Sequence, residues 1–363
     1  MAWSFHNPVA VAFGDGALAR LGQILAKRSA VLVAFPEAAA LGHVDAVRRN
    51  LGAALRGVID EIEPNPDVVH LARLHTRFWR EFASCDAIVA LGGGSTLDTA
   101  KVLAVTPASG GFAALIDGIS GGEAFVAGRT KALITVPTTA GTGSEVTPWA
   151  TVWDRAAGRK HSLHLRETWP EAAIVDPSLT LSVPRSVTLQ SGLDALSHAL
   201  EAIWNVNANP VSDALAVAAA RRMLDTLPRL IDRLDDGALR ADAALAALEA
   251  GLAFSNTRTA LAHSISYEMT LRHGLPHGIA CSFTLPLVMA RAIGARHDRD
   301  ALLARVFDVA LARAPEHLEQ WLERLGVSTR FESYGATAAE SQAMIAAALE
   351  GVRGRNFIGA ASG

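Results

Sequence analysis

Five short β-like runs, several of them almost continuously apolar, punctuate the first half of this chain: Ser29–Phe35, Gly57–Ile62, Asp86–Gly94, Lys131–Thr139 and Ala172–Pro177. Unbroken apolarity over so few residues is the pattern of strands buried on both faces. Stretches with helical spacing lie between them, such as HVDAVRRNLGAAL from His43 and VVHLARLHTRFWREFAS from Val68. Strand alternating with helix predicts a parallel sheet covered by helices. Near Pro184 the texture changes. From there the chain is a series of Ala- and Leu-rich helical segments with few strand candidates, among them SDALAVAAARRMLDTLPRLIDRL, ADAALAALEAGLAFSNT and TAAESQAMIAAALEGV. The expected organisation is an α/β domain over residues 1–182 and an all-helical domain over residues 183–363. Gly351–Gly363 is Gly-rich and is expected to be loose.

Four polar residues of the helical half read as one metal site: Asp194 and His198 in SGLDALSHALEA, then His263 and His277 in AHSISYEMTLRHGLPHG. Asp194 and His198 are four apart, so on a helix they share a face, and Leu193, Leu196 and Leu200 can pack the rest of it. One carboxylate and three imidazoles suit a first-row divalent ion such as Fe2+ or Zn2+. The Asp/His pair alone is weak evidence, because most helical histidines are exposed or hydrogen-bonded within the fold.

Two loops carry ligand-binding chemistry. LGGGSTLDTAK (Leu91–Lys101) follows a strand and opens a helix. Gly92, Gly93 and Gly94 let a backbone approach a ligand, and Ser95 and Thr96 can cap a helix whose first N–H groups face a phosphate. It is neither G-x-G-x-x-G nor a P-loop, and a tight strand-to-helix turn is the bland alternative. Asp98 sits in the first turn, where the helix dipole favours a carboxylate and where it can receive a cofactor hydroxyl or amide. PTTAGTGSEVTPWATV (Pro137–Val152) offers the hydroxyls of Thr138, Thr139, Thr142 and Ser144, with Glu145 read as a structural hydrogen-bonding group.

Composition narrows the function. Half of the 363 residues are hydrophobic and 19% are charged, which suits a compact enzyme rather than a disordered chain. The net charge is −3 with no basic stripe, so nucleic acid is not an expected partner. MAWSFHNPVAVAFGDG lacks a basic segment followed by an apolar one, so no secretory signal is expected. No run approaches the roughly 20 apolar residues of a membrane span. Cys85 and Cys281 stand far apart in contexts that read as core, so no disulfide and a reducing cytoplasm are expected.

Together GGGS-x2-D-x2-K, PTTAGTGSEVT, Val175–Pro177 (VDP) and the D-x3-H…H…PHG set resemble the iron-dependent alcohol dehydrogenases. That family belongs to the superfamily shared with glycerol dehydrogenase and dehydroquinate synthase. The likeness runs from Phe13-Gly14 to about Leu287 and is specific, because independent motifs occur in the family's order. It implies a Rossmann-like N-terminal domain, an all-helical C-terminal domain and an active site in the cleft. It further implies that Gly92 to Ser95 bind the pyrophosphate of NAD(P)H, with Asp98 near the nicotinamide. Thr138, Thr139 and Lys160 match cofactor-contacting positions, and Asp194, His198, His263 and His277 match the metal ligands.

The chain departs from the family in three places. Most members carry a second histidine four residues after the third ligand, where this chain has Tyr267. Reduction of a carbonyl still needs a proton, so Tyr267, His273 or a water relay must supply it. Ala34, Phe35, Pro36 and Glu37 stand where NAD-preferring relatives place an Asp, which leaves NADH and NADPH both open. The segment after about Pro315 is shorter than usual, and GRNFIG only weakly resembles the family's ending.

Within the family, NTRTALAHSISY…LRHGLPHGIACSFTLP resembles the phosphonoacetaldehyde reductases. Arg258 and Arg272, beside the metal ligands, could hold an anionic group, because a guanidinium matches phosphonate oxygens bidentately. The competing reading is that one or both arginines make salt bridges within the domain. Trp149 and Phe254 complete the candidate substrate set. The expected activity is hydride transfer from NAD(P)H to a small aldehyde, phosphonoacetaldehyde to 2-hydroxyethylphosphonate. An alcohol or polyol dehydrogenase with an uncharged substrate is the alternative. A dehydroquinate synthase-like lyase would need more Lys and Arg near the metal, and a non-catalytic subunit would have lost ligands. A homodimer is left open.

Overall fold

Each of the five apolar runs becomes a strand of one parallel sheet in the computed structural model, which describes residues 2–119 and 126–362. The strands are β1 Ala10–Phe13, β2 Ala30–Ala34, β3 Leu55–Ile59, β4 Ala87–Gly92, β5 Val105–Pro107, β6 Ala127–Thr130, β7 Ala132–Pro137, β8 Trp149–Asp154, β9 Arg159–His164 and β10 Ala172–Val175. The six-stranded sheet has the order β1-β10-β7-β4-β2-β3, with every neighbouring pair parallel.

Alternation explains why these strands read as continuous apolar runs. In β2, Leu32 and Ala34 pack with Leu21, Leu25, Val44 and Val47 on one face. Val31 and Val33 pack with Leu74, Phe78 and Leu97 on the other. The covering helices are α1 Leu21–Leu25, α2 His43–Leu51, α3 Val68–Glu81, α4 Gly94–Leu103 and α5 Gly111–Ile119. From β2 the chain moves outward to β3, then returns to β4 on the opposite side of β2. That reversal makes a switch point at the carboxyl ends of β2 and β4, where open parallel sheets bind ligands. Gly92 and Gly93 stand at the end of β4, and Phe35 to Glu37 follow β2.

Three pieces escaped the sequence pattern. β1 is an edge strand with one buried residue in four, so no apolar run marks it. β5 with β6 and β8 with β9 form two-stranded antiparallel ribbons outside the main sheet.

The helical unit comprises α6 Arg185–Ile203, α7 Pro210–Asp232, α8 Gly237–Thr257, α9 Leu261–His273, α10 His277–Ser282, α11 Leu285–Ala292, α12 His297–Val306, α13 Ala314–Arg324 and α14 Ala338–Glu350. Continuous burial from Gly192 to Ile203 makes α6 its central helix. Leu193, Leu196 and Leu200 join Met223, Leu227 and Ala250 in one core. By contact the unit starts at Pro184 and also takes in the N-terminal residues through Asn7 and Ala140–Gly143, which no single cut near residue 182 expresses. His6 N–H donates to Asn256 Oδ1 at 2.8 Å, and Gly141 lies so close to α6 that a Cβ there would meet Ser191 Cβ at 2.7 Å.

The C-terminal tail differs from its expectation. Through residue 362 it is wound into short 3-10 turns, with Phe357 1% exposed and Asn356 Nδ2 donating to Thr259 O at 2.8 Å. Among the described residues no helix is long and apolar enough to cross a membrane.

Candidate metal centre and dinucleotide loop

Helix α6 presents Asp194 and His198 one turn apart, both almost fully buried. His263 arrives from the first turn of α9, and His277 opens α10. Their Nε2 atoms converge on one oxygen, Asp194 Oδ1, at 3.9 Å for His198, 3.4 Å for His263 and 3.8 Å for His277. The His198 and His263 rings stack at 4.5 Å, and His263 meets His277 edge-on at 5.6 Å. His263 Nε2 is buried with no hydrogen-bond partner while it faces a carboxylate. Leaving such an atom unmet costs free energy, and a bound cation at this point would satisfy it. The donor set therefore fits a first-row divalent ion.

A fifth donor is present. Cys281 Sγ–H donates to Asp194 Oδ1 at 3.3 Å. The donor atoms of Asp194, His263, His277 and Cys281 all lie within 4.8 Å of one another. The sequence reading assigned Cys281 to core. It is fully buried, and the signal that could have marked it was its place four residues after His277, one turn along the same helix. Both cysteines are free and buried, in line with the expected absence of a disulfide.

Electrostatics tie the cluster together. Burial works against the Asp194 carboxylate, but the surrounding histidines outweigh it and hold the group below the usual carboxylate range. Burial pulls the His198 imidazole down to about 4 against the attraction of Asp194. His263 moves the other way. Burial disfavours its charge, yet Glu201 and Asp194 on either side push it up to about 9. Glu201, fully buried two turns beyond Asp194, takes a 2.7 Å hydrogen bond from His263 Nδ1.

In the α/β unit, the β4–α4 junction has an open helix start. Gly93 is the cap residue and no side chain caps the helix, while Thr96 N and Leu97 N return to Gly93 O. Ser95 and Thr96 thus fall inside the first turn instead of capping it, because the helix begins at Gly94. The Ser95 hydroxyl accepts from Asn65 N at 3.1 Å. A Cβ at Gly92 would collide with Thr96, and one at Gly93 would press on Thr139 Oγ1 at 3.2 Å, so Thr139 roofs this turn. Thr138 N–H donates to Gly92 O at 3.0 Å.

Behind the junction lies a polar core around Lys101, a residue to which the sequence assigned no role. Lys101, fully buried, donates to Ser144 O, Ser144 Oγ and Trp149 O at 2.6, 2.6 and 2.7 Å. Burial pulls it down to about 8. Asp98 accepts from Ser144 Oγ and Thr151 N, both at 2.8 Å, so both its oxygens are engaged inside the domain. Glu145 is buried and pushed up to about 7. That folded value lies above the ordinary 4.5, so the contribution of the neutral acid is complete below 4.5 and lost as pH rises through 7. Glu145→Gln is therefore expected to gain on the wild type by up to about 3 kcal/mol between those limits. Unfolding curves at several pH values check this; parallel pH profiles for the two proteins would refute it.

The remaining candidates are spread out. Tyr267, half-buried, sits one turn after His263 with the Arg353 guanidinium 4.8 Å above its ring. His273 ends α9, with Nδ1 facing Gly335. Phe254 stacks on the His198 ring at 4.1 Å, which makes it a wall of the metal cluster. Arg258 is exposed, caps the end of α8 at a φ of 68° and forms no ion pair among the described residues. Arg272 is held in an exposed pair with Glu268 at 2.6 Å, as its competing reading anticipated. Trp149 stacks on His164 at 5.0 Å, Lys160 Nζ lies 5.5 Å from the Trp153 ring, and Thr142 belongs to the segment that packs with the helical unit.

The comparisons with known proteins agree on one family. The sequence model described as iron-containing alcohol dehydrogenase matches residues 8–177. A second, described as the C-terminal part of the Fe-containing alcohol dehydrogenase family, matches residues 188–361, well past Leu287. An NAD-dependent methanol dehydrogenase of Bacillus methanolicus is 32% identical, covering 96% of this chain and 94% of that protein. A choline dehydrogenase of Bacillus subtilis is 31% identical over 84% of this chain and 77% of its own length. The crystal structure of sulfoacetaldehyde reductase from Bifidobacterium kashiwanohense in complex with NAD+ matches with a TM-score of 0.90 and 28% identity. It covers 98% of this chain and 94% of that one.

Proposed function

This chain belongs to the iron-containing alcohol dehydrogenases, and from that premise we propose that it reduces a small anionic aldehyde, phosphonoacetaldehyde to 2-hydroxyethylphosphonate. In this reading Asp194, His198, His263 and His277 hold the divalent metal, Fe2+ or Zn2+. Gly92 to Ser95 receive the pyrophosphate of NAD(P)H at the open start of α4, under Thr139. When bound, the metal polarises the carbonyl oxygen and the dinucleotide supplies a hydride to the carbonyl carbon.

The protein's own part is placement and one proton. Tyr267 stands one turn from His263 and can pass its phenolic proton to the product oxygen, to be restored from water. His273 is ten residues beyond His263, roughly 15 Å along the helix axis, which favours Tyr267 for that role. Phe254 and the leucines of α6 keep water from the back of the cluster. Both cysteines are free and buried, which suits a reducing cytoplasm.

The observation that carries the anionic substrate is Arg258. Its backbone is fixed at a φ of 68°, a positive value that costs free energy in a residue with a Cβ, and its carbonyl is tied to Asn205 Nδ2 at 3.1 Å. The guanidinium has no acidic partner among the described residues, and Arg258 is five residues before His263. The likeness to a sulfoacetaldehyde reductase supports the same class, because a sulfonate and a phosphonate present similar tetrahedral oxyanions. The methanol dehydrogenase relative favours the second reading, an uncharged short alcohol.

Arg258→Ala should lose about 2–4 kcal/mol of transition-state stabilisation on phosphonoacetaldehyde. That is a fall on the order of 30- to 1,000-fold in kcat/KM, with little change on acetaldehyde. Equal losses on both aldehydes would assign Arg258 to the fold and return the function to a dehydrogenase of uncharged alcohols.

A further inference from the structure

We propose that Glu201 is a positioning residue for the metal centre: it fixes the tautomer and orientation of His263 and ties the start of α9 to α6. The inference rests on the metal reading given above. Asp194, His198 and Glu201 are spaced i, i+4 and i+7, so one face of α6 carries two metal donors and, two turns on, this carboxylate. Glu201 is fully buried in a helix most of whose other buried side chains are apolar.

Its two oxygens accept four N–H groups, all from the start of α9. Oε1 accepts from Ala262 N at 2.6 Å and His263 N at 3.3 Å. Oε2 accepts from Ala260 N at 2.7 Å and His263 Nδ1 at 2.7 Å. Helix α9 has no side-chain cap from its own cap residue, Ala260, so Glu201 replaces one from 59 residues away. A carboxylate can only accept, so the fourth contact puts the proton of His263 on Nδ1. That leaves Nε2, the buried atom that faces Asp194, as the nitrogen whose lone pair a metal would take once that atom gives up its proton. Metal-binding histidines are commonly held in this way by a carboxylate on the far nitrogen.

Glu201→Gln separates this role from simple capping. All four contacts are donors, so a glutamine amide of the same shape must set at least one N–H against its NH2 group. Where that group meets Nδ1, it favours the other tautomer and puts a proton on Nε2. Zn2+ affinity, measured by competition with a chelator, should fall on the order of 10- to 100-fold. The visible d–d spectrum of the Co2+ form should change, because the third imidazole is reoriented. A variant that melts earlier but keeps the wild-type Zn2+ affinity and Co2+ spectrum would reduce Glu201 to a helix cap and overturn the proposal.

If Glu201→Gln does not fold, the wild-type Zn2+ form decides the question. In 15N spectra of labelled histidines, the resonance missing from His263→Asn must show Nδ1 protonated and Nε2 not; the reverse overturns the proposal. Failure of the metal reading looks different. In that case His277→Ala would bind Zn2+ as tightly as the wild type.

Discussion

His277→Ala is expected to fold, to bind little Fe2+ or Zn2+, and to turn over at least about a thousandfold more slowly. The size follows from the several kcal/mol of charge stabilisation a metal gives a reacting carbonyl oxygen, at 1.36 kcal/mol per tenfold in rate. His277 is the cleanest candidate ligand to remove. Its side chain is 29% exposed at the start of a six-residue helix, so truncation leaves no sealed cavity. His263→Ala should cost activity as heavily and stability as well. His263 is 3% exposed and lies between Asp194 and Glu201, and its loss leaves two buried carboxylates without their shared cation. Breaking a buried pair in this way costs about 3–5 kcal/mol. Metal analysis after dialysis, melting of the metal-free proteins and NAD(P)H oxidation with an aldehyde panel distinguish the two. Full occupancy in both variants would remove Asp194, His198, His263 and His277 from the mechanism.

Most of the sheet was legible because its inner strands are buried on both faces and therefore spell unbroken apolar runs. β1 was not, since an edge strand buries one residue of four and leaves Val11 and Phe13 about 40% exposed. The four candidate metal donors stood out in the sequence because the family motifs and the i, i+4 spacing coincide. Glu201 was missed although it stands in the same SGLDALSHALEA segment. Its partners lie 59 to 62 residues away, and only the folded chain brings them together. A charged residue in the Ala- and Leu-rich stretch SHALEAI was the available signal. Lys101 was missed for a like reason. Its three acceptors lie at Ser144 and Trp149, 43 to 48 residues on.

Glycines were read in the sequence as freedom, and in several places they are contact. None of Gly92, Gly93 and Gly278 has a left-handed φ. Gly354 in the tail meets Ala348 O and Leu349 so closely that a Cβ has no room, which is why a Gly-rich end is packed down. Glycine serves there as the smallest spacer between two backbones.

Gly278→Ala should therefore be among the most damaging single-methyl changes near the metal cluster. A Cβ built there runs into the Gln190 carbonyl, with Gln190 C at 2.6 Å and Cα at 3.0 Å. These are backbone atoms of α6, so no rotamer relieves the clash and the two helices must separate. Gly278 follows His277 directly, and Gln190 is one turn before Asp194, so separation moves a candidate ligand away from the carboxylate it must meet. A cost of about 3 kcal/mol is expected, at the upper end for overpacking, together with weakened metal binding. Gly274→Ala is the control. Its φ of 65° makes alanine strained, at about 1–2 kcal/mol, but a Cβ there meets nothing within 4 Å. It should lower the melting temperature of the metal-free protein while leaving Zn2+ affinity close to wild type. Melting curves and chelator competition on both variants read the contrast. If Gly278→Ala binds Zn2+ as tightly as Gly274→Ala does, the close approach of α10 to α6 does not set the position of His277.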